Sequence, residues 1–106
     1  MQFASVIVGL LASTVAADLH TRLICLNYSQ SVLGPGTSTA ATNDPATIAA
    51  CNAYRRRNTG TKQWDTCPDC TVVQNNEIKA CESLGKHLGG DEFNYYCKQN
   101  GANASA

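Results

Sequence analysis

Apolar residues are concentrated at the start of the chain. Residues 3 to 12 are mostly apolar, and small side chains follow, ending in Val15-Ala16-Ala17. A run of this length is too short to cross a bilayer, which needs about twenty apolar residues. Its length and small-residue flank instead predict a secretory signal peptide over 1–17, cleaved after Ala17. No Lys or Arg precedes the apolar run, so only the amino terminus supplies positive charge there. The mature chain is then expected to be one domain over 18–106, without a second apolar segment long enough to anchor in a membrane.

Within the mature part the apolar pattern is sparser and periodic. Over Leu19–Tyr28, Leu19, Leu23 and Cys25 fall on one face of an extended segment, and Ile24, Leu26 and Tyr28 on the other. That pattern predicts a strand with both faces partly covered. Ser29 to Asn43 has no periodicity, contains Gly34-Pro35-Gly36, and reads as a loop. Asp44-Pro45 opens a helix, with Asp as cap and Pro at the first position. Ile48, Cys51 and Tyr54 form its inward face, Arg55 to Arg57 its last turns, and Gly60 its stop. Lys62 to Gln74 reads as one or two short strands interrupted by Cys67-Pro68-Asp69-Cys70.

Asn75 or Asn76 is expected to cap a second helix, with Glu77 in its first turn. Ile78, Cys81, Leu84 and Leu88 would line one face of it, and Gly89-Gly90 would end it. From Asp91 to Gln99, Phe93, Tyr95 and Cys97 alternate with Asn94, Tyr96 and Lys98, which predicts a final strand. Asn100 to Ala106 is small and polar and is expected to be a disordered tail. The order strand, helix, strands, helix, strand points to an α+β fold: two helices on one face of a small antiparallel sheet of three to four strands.

Composition sharpens this picture at two points. Eight Lys plus Arg balance eight Asp plus Glu, giving a formal net charge of zero. Nucleic-acid binders use excess positive charge to displace counterions from phosphates, so no nucleic-acid partner is expected. Six cysteines, Cys25, Cys51, Cys67, Cys70, Cys81 and Cys97, all lie in the mature part. An even number in a short secreted chain reads as a disulfide framework, which a domain with so small a core needs. Six cysteines allow fifteen pairings. Bridges from helix to sheet are the expectation, with Cys51 and Cys81 on helices and Cys25 and Cys97 on strands.

Candidate chemistry is thin. Cys67-Pro-Asp-Cys70 has the spacing of redox motifs, but those place the first cysteine at a helix start, and here Thr71-Val72-Val73 favours a strand. Zinc would need two further ligands, and no second pair stands at finger spacing. His20 and His87 are the only histidines. With Glu77, Glu82, Glu92 and an Arg they contain the residue types of a small hydrolase, but no local spacing joins them. No catalytic residue, cofactor or metal is therefore assigned. Asn27-Tyr-Ser29 and Asn103-Ala-Ser105 match the N-glycosylation acceptor pattern. Arg55, Arg56 and Arg57 form a basic run that reads as a solvated helix end or as a contact for an acidic partner. Trp64 and Tyr95-Tyr96 are assigned mainly to the core.

Two stretches carry a resemblance: Ala50-Cys-Asn-Ala-Tyr-Arg-Arg-Arg-Asn-Thr-Gly-Thr-Lys-Gln-Trp-Asp-Thr-Cys-Pro-Asp-Cys70 and Gly89-Gly-Asp-Glu-Phe-Asn-Tyr-Tyr-Cys97. They resemble small cysteine-rich secreted proteins of filamentous ascomycete fungi, the effector-like proteins of the biotrophy-associated secreted type. Some of these are similar in fold to the subunits of a smut-fungus killer toxin. The resemblance implies a secreted, extracellular, non-enzymatic protein. It would act as a monomer on an unknown host or microbial extracellular target, binding at the host interface through the 29–43 loop and exposed arginines. The alternatives are a killer-toxin-like antimicrobial protein and a small secreted hydrolase.

Overall fold

A disulfide, a buried threonine and two strand partners tie the first long strand into the rest of the chain, and the other elements are arranged around it. The computed structural model describes residues 19–30 and 38–106. The expected signal peptide and Gly34-Pro35-Gly36 lie outside these. The N-terminal extended segment is broken into β1 (Leu19–His20), β2 (Arg22–Leu23) and β3 (Cys25–Gln30), each with a different partner. β4 (Ser38–Thr42) runs antiparallel to β3, with Tyr28 opposite Ala40. The second half of the expected loop is therefore a strand. Its Thr and Ala residues lack an apolar period because all four side chains from Thr39 to Thr42 are exposed.

Helix α1 spans Asp44–Arg55. Its cap is Asn43, one residue before the expected Asp44: the Asn43 side chain accepts from the Ala46 amide at 3.1 Å. Ala46, Thr47, Ala50, Cys51 and Tyr54 are its buried face, while Ile48 is only half-buried. The helix ends at Arg55, short of Gly60. Thr47 Oγ1 accepts from the Cys25 amide at 2.9 Å and donates to the Asn43 carbonyl at 3.1 Å, fastening α1 to β3.

The segment expected to be the second helix is instead a hairpin. β5 (Thr71–Asn75) and β6 (Ile78–Glu82) pair antiparallel through a two-residue turn, Asn76-Glu77, with φ of 52° and 68°. These paired positive φ values fit the tight turn whose twist suits a hairpin. The apolar spacing that suggests a helix does not mark a buried face, since Ile78 is 38 % and Leu84 80 % exposed. No strand precedes Cys67 in the 62–74 segment. There, Asp65 accepts from the Lys62 amide and Thr59 hydroxyl, while Gln63 donates to the carbonyls of Gly85 and Lys86.

The expected last strand is helix α2 (Gly90–Gln99), preceded by β7 (Leu88–Gly89). Gly89-Gly90 starts this helix where a stop was expected. Asp91 and Glu92 suit its positive end and Lys98 its negative end. Phe93 and Cys97, four apart, are fully buried, Tyr96 packs against the core, and Tyr95 is 55 % exposed. A strand would have buried Tyr95 together with Phe93 and Cys97.

The tail is ordered rather than disordered. β8 (Ala104–Ser105) pairs with β3, and the Ala106 amide and carbonyl both bond Ile24, at 3.0 and 2.8 Å.

The architecture is α+β, as expected: two helices packed against small antiparallel sheets, in orders β1-β7, β2-β6-β5 and β4-β3-β8. Three disulfides pass through the core: Cys25–Cys97, Cys51–Cys81 and Cys67–Cys70. The first two do join helix to sheet. Cys81 and Cys97 have exchanged the element types assigned to them, so each bridge still has one helical end.

Candidate functional site

The basic run divides at the end of α1. Arg55 and Arg56 are exposed. Arg57 turns inward, its side chain only 15 % exposed, contrary to the expectation that it is solvated. Its guanidinium lies 5.6 Å from the Tyr54 ring centre and 5.8 Å from that of Tyr96. Both distances suit a cation–π arrangement. One nitrogen donates to the Tyr96 hydroxyl at 3.2 Å and another stands 3.9 Å from Asp65. Burial disfavours its charge, but Tyr96, with Tyr54 and Glu92, outweighs this and raises its pKa. Arg57 thus binds the 59–65 turn and α2 to α1, and of the basic run only Arg55 and Arg56 are left exposed.

Tyr54 organises the neighbouring backbone. Its hydroxyl lies 2.7 Å from the Trp64 carbonyl and 3.1 Å from the His87 carbonyl, and it accepts from the Gly89 amide at 3.0 Å. Burial, partly offset by the Gly89 amide, pushes its pKa up to about 12. Sequence reasoning places Tyr54 in the core but misses this role, which depends on three backbone groups remote from it in sequence. Trp64 is half-buried, as is Tyr96, and only Tyr95 leaves the core assignment.

The two histidines sit in different surroundings. His87 Nδ1 lies 2.8 Å from the Gln63 carbonyl, and the His87 amide donates to the Ser83 hydroxyl at 3.0 Å. His20 lines an open groove of about 530 Å³ that also takes in Arg22, Asp91, Asn94 and Ser105. The Arg22 guanidinium is held by Glu82, its cross-strand partner, at 2.5 Å. Glu77 and Glu92 are not part of this groove. Tertiary structure therefore joins His20, an arginine and a carboxylate that no local spacing connects.

The two sequons come together on one sheet. Asn27 donates to the Gly101 carbonyl at 3.2 Å and accepts from Asn43 at 2.7 Å. The Asn103 side chain bonds the Tyr28 amide at 2.8 Å and carbonyl at 3.0 Å, acting as one more strand residue beyond β8. Both amide nitrogens that a glycan would occupy are already donating.

Next to them lies an open edge. The Asn43 amide donates to the Cys25 carbonyl, so Cys25 and, by alternation, Asn27 and Ser29 turn their backbone groups toward β4. Ile24 and Tyr28 turn theirs to the other side, toward Ala106 and Asn103. By register, Thr39 and Ala41 bond β3, while Ser38, Ala40 and Thr42 point their amides and carbonyls outward. Among the described residues no strand pairs with that outer edge. Tyr28, opposite Ala40, is 52 % exposed.

Cys67-Pro68-Asp69-Cys70 closes on itself: the Cys70 amide bonds the Cys67 carbonyl at 3.2 Å and the sulfurs are joined. The motif ends at strand β5, not at a helix start, so it lacks the helix dipole that activates redox cysteines. Asp69 accepts from the Ser83 hydroxyl at 2.7 Å and the Gly85 amide at 2.9 Å. Burial alone would raise its pKa, but these donors and nearby His87 lower it. This role is not readable from the sequence, where Pro-Asp signals only a turn.

Compared with known proteins, residues 18–105 match the family model described as biotrophy-associated secreted protein 4. No curated protein and no solved structure matches the chain.

Proposed function

The chain belongs to the biotrophy-associated secreted protein 4 family, a secreted and disulfide-bonded group, and on that premise we propose that it is an effector acting by binding at the host interface, without catalysis. The observation that carries the reading is the outer edge of β4. Ala40 and Thr42 offer backbone donors and acceptors beside the half-exposed ring of Tyr28, on a strand with no charge or proline to deter pairing. Such an edge recognises an extended segment of a partner protein by adding it as a further strand, with nearby side chains supplying specificity. Arg55 and Arg56 are a second contact, for acidic groups.

A second reading, a small secreted hydrolase, is favoured by the groove that gathers His20, Arg22 and Asp91. One preparation distinguishes the readings. Oxidised residues 18–106 are incubated with plant extract, with RNA and ester substrates, and with cultures of yeasts, filamentous fungi and bacteria. Binding predicts that a plant protein is retained and protects the Ala40 and Thr42 amides from hydrogen exchange. Ala40→Pro removes an outward amide and not a β3 bond, so it is expected to fold and to lose that partner. Retention unchanged by Ala40→Pro, or no retention at all, rejects the edge. Turnover abolished by His20→Ala would establish the hydrolase, and inhibited growth the antimicrobial alternative.

A further inference from the structure

The two disulfides nearest the β5–β6 hairpin lie side by side. Cys51 and Cys81 are joined, and Cys70 is joined to Cys67. The sulfurs of Cys51, Cys70 and Cys81 all lie within 4.8 Å of one another. Cys70 is therefore within a small movement of a bridge to which it does not belong. We propose that Cys70 is a thiol–disulfide exchange site: once released from Cys67, its sulfur attacks the Cys51–Cys81 bridge, and the four cysteines exchange partners.

The reaction requires a thiolate as nucleophile, and the surroundings decide which sulfur of the short bridge becomes one. Cys67 Sγ lies 3.6 Å from Asp69 Oδ1, and that carboxylate is fixed by the Ser83 hydroxyl and the Gly85 amide. A thiolate at Cys67 would face this negative charge. A thiolate at Cys70 would face the sulfurs of Cys51 and Cys81. The leaving group on opening is therefore Cys70.

The steps balance with a small-molecule thiol as co-reactant. Cys67 is fully buried, so the Cys67–Cys70 turn must first open locally; the small thiolate then bonds to Cys67 Sγ, the Cys67–Cys70 bond breaks, and the electron pair leaves on Cys70. The Cys70 thiolate then bonds to Cys51 Sγ, the Cys51–Cys81 bond breaks, and the electron pair leaves on Cys81. Cys81 either takes a proton from water or attacks the mixed disulfide at Cys67 and expels the small thiolate. In the second case no electrons are gained or lost, and the thiol acts as a catalyst. Attack at Cys81 follows the same course with Cys51 as the leaving sulfur. Cys25–Cys97 is not in the cluster and holds β3 to α2 throughout.

The test begins with Cys67→Ala in oxidised residues 18–106, which leaves Cys70 free without any reductant. The protein is held at pH about 8.5, where an ordinary thiol is half ionised. It is then alkylated, digested without reduction, and its linked peptides are identified by mass spectrometry. The proposal expects alkyl label on Cys51 and Cys81 as well as Cys70. Linked peptides joining Cys70 to Cys51 or Cys81 would grow as the Cys51–Cys81 peptide declines. Label confined to Cys70, with Cys51–Cys81 intact, overturns it. Cys25→Ala is the control for general scrambling, with label expected on Cys97 alone. Scrambling of all the remaining cysteines there would equally overturn the assignment to this cluster. Should Cys67→Ala not fold, Cys67→Ser keeps the size of the buried side chain, also frees Cys70 without a reductant, and gives the same readout: crossed peptides of Cys70 support the exchange and their absence rejects it.

Discussion

The Tyr54 hydroxyl has one proton and stands between two carbonyls, Trp64 and His87, while accepting from the Gly89 amide. Phenylalanine would keep the ring and its packing on Tyr96, at 5.6 Å between centres, and remove only the oxygen. The buried Gly89 amide would then lack its acceptor. A buried unpaired group costs about 1–3 kcal/mol. Tyr54→Phe is expected to lose stability in that range in denaturant unfolding of the oxidised protein. Alkaline pH gives an independent readout. The folded pKa is raised to about 12 by burial, above the ordinary value near 10. The folded state therefore holds its proton more tightly. This contribution is fully present below about pH 10 and is lost as pH rises through about 12. Tyr54→Phe should flatten the fall in stability across that window. An unchanged profile would mean that other groups cause it.

At the scale of elements, the β5–β6 turn is the most costly stretch of backbone. Asn76 and Glu77 stand at left-handed φ of 52° and 68°. Asn tolerates that conformation, whereas Glu is a poor residue for it. Asn-Gly is the favoured pair for such turns. Glu77→Gly should raise stability by about 1 kcal/mol, measured as a shift in the denaturation midpoint at unchanged slope. A loss of stability would mean that the Glu77 side chain makes a contact that matters more than the backbone. The same residue explains why the sequence misleads here. Asn followed by Glu, then apolar residues at helical intervals, imitates a capped helix, and nothing local reveals that Leu84 and Ile78 face solvent. In α2 the alternation of Phe93, Tyr95 and Cys97 imitates a strand, although the Phe93, Tyr96, Cys97 spacing fits a helix equally well. Asp91 and Glu92 at its start and Lys98 at its end are legible signals in favour of the helix. α1 is readable because its proline and its alanine-rich face agree, although its cap is Asn43 and not Asp44. The site is less legible than the fold. The β4 edge depends on register, and Asp91 meets His20 and Arg22 only through tertiary packing.

The whole molecule depends on bridges of very different reach. Cys25–Cys97 spans 72 residues, Cys51–Cys81 spans 30, and Cys67–Cys70 spans 3. In the chain-entropy picture a bridge stabilises by restricting the unfolded chain, and its contribution grows with the logarithm of the loop. The longest bridge is then worth about 4 kcal/mol and the shortest about 2 kcal/mol. Position reinforces the order. Cys25 lies on β3, which also receives β4, β8 and the Thr47 contact, and Cys97 lies on the buried face of α2. Removing that pair loosens the tail and α2 together, while Cys67–Cys70 closes a turn that Asp69 already holds through Ser83 and Gly85. Paired replacement by alanine should therefore destabilise most at Cys25/Cys97, less at Cys51/Cys81 and least at Cys67/Cys70. The measurement is thermal or denaturant unfolding of each double variant against the oxidised wild type. A Cys67/Cys70 variant that loses as much as the Cys25/Cys97 variant would show that the short bridge acts through native packing of the buried sulfurs, and loop length would no longer account for the order.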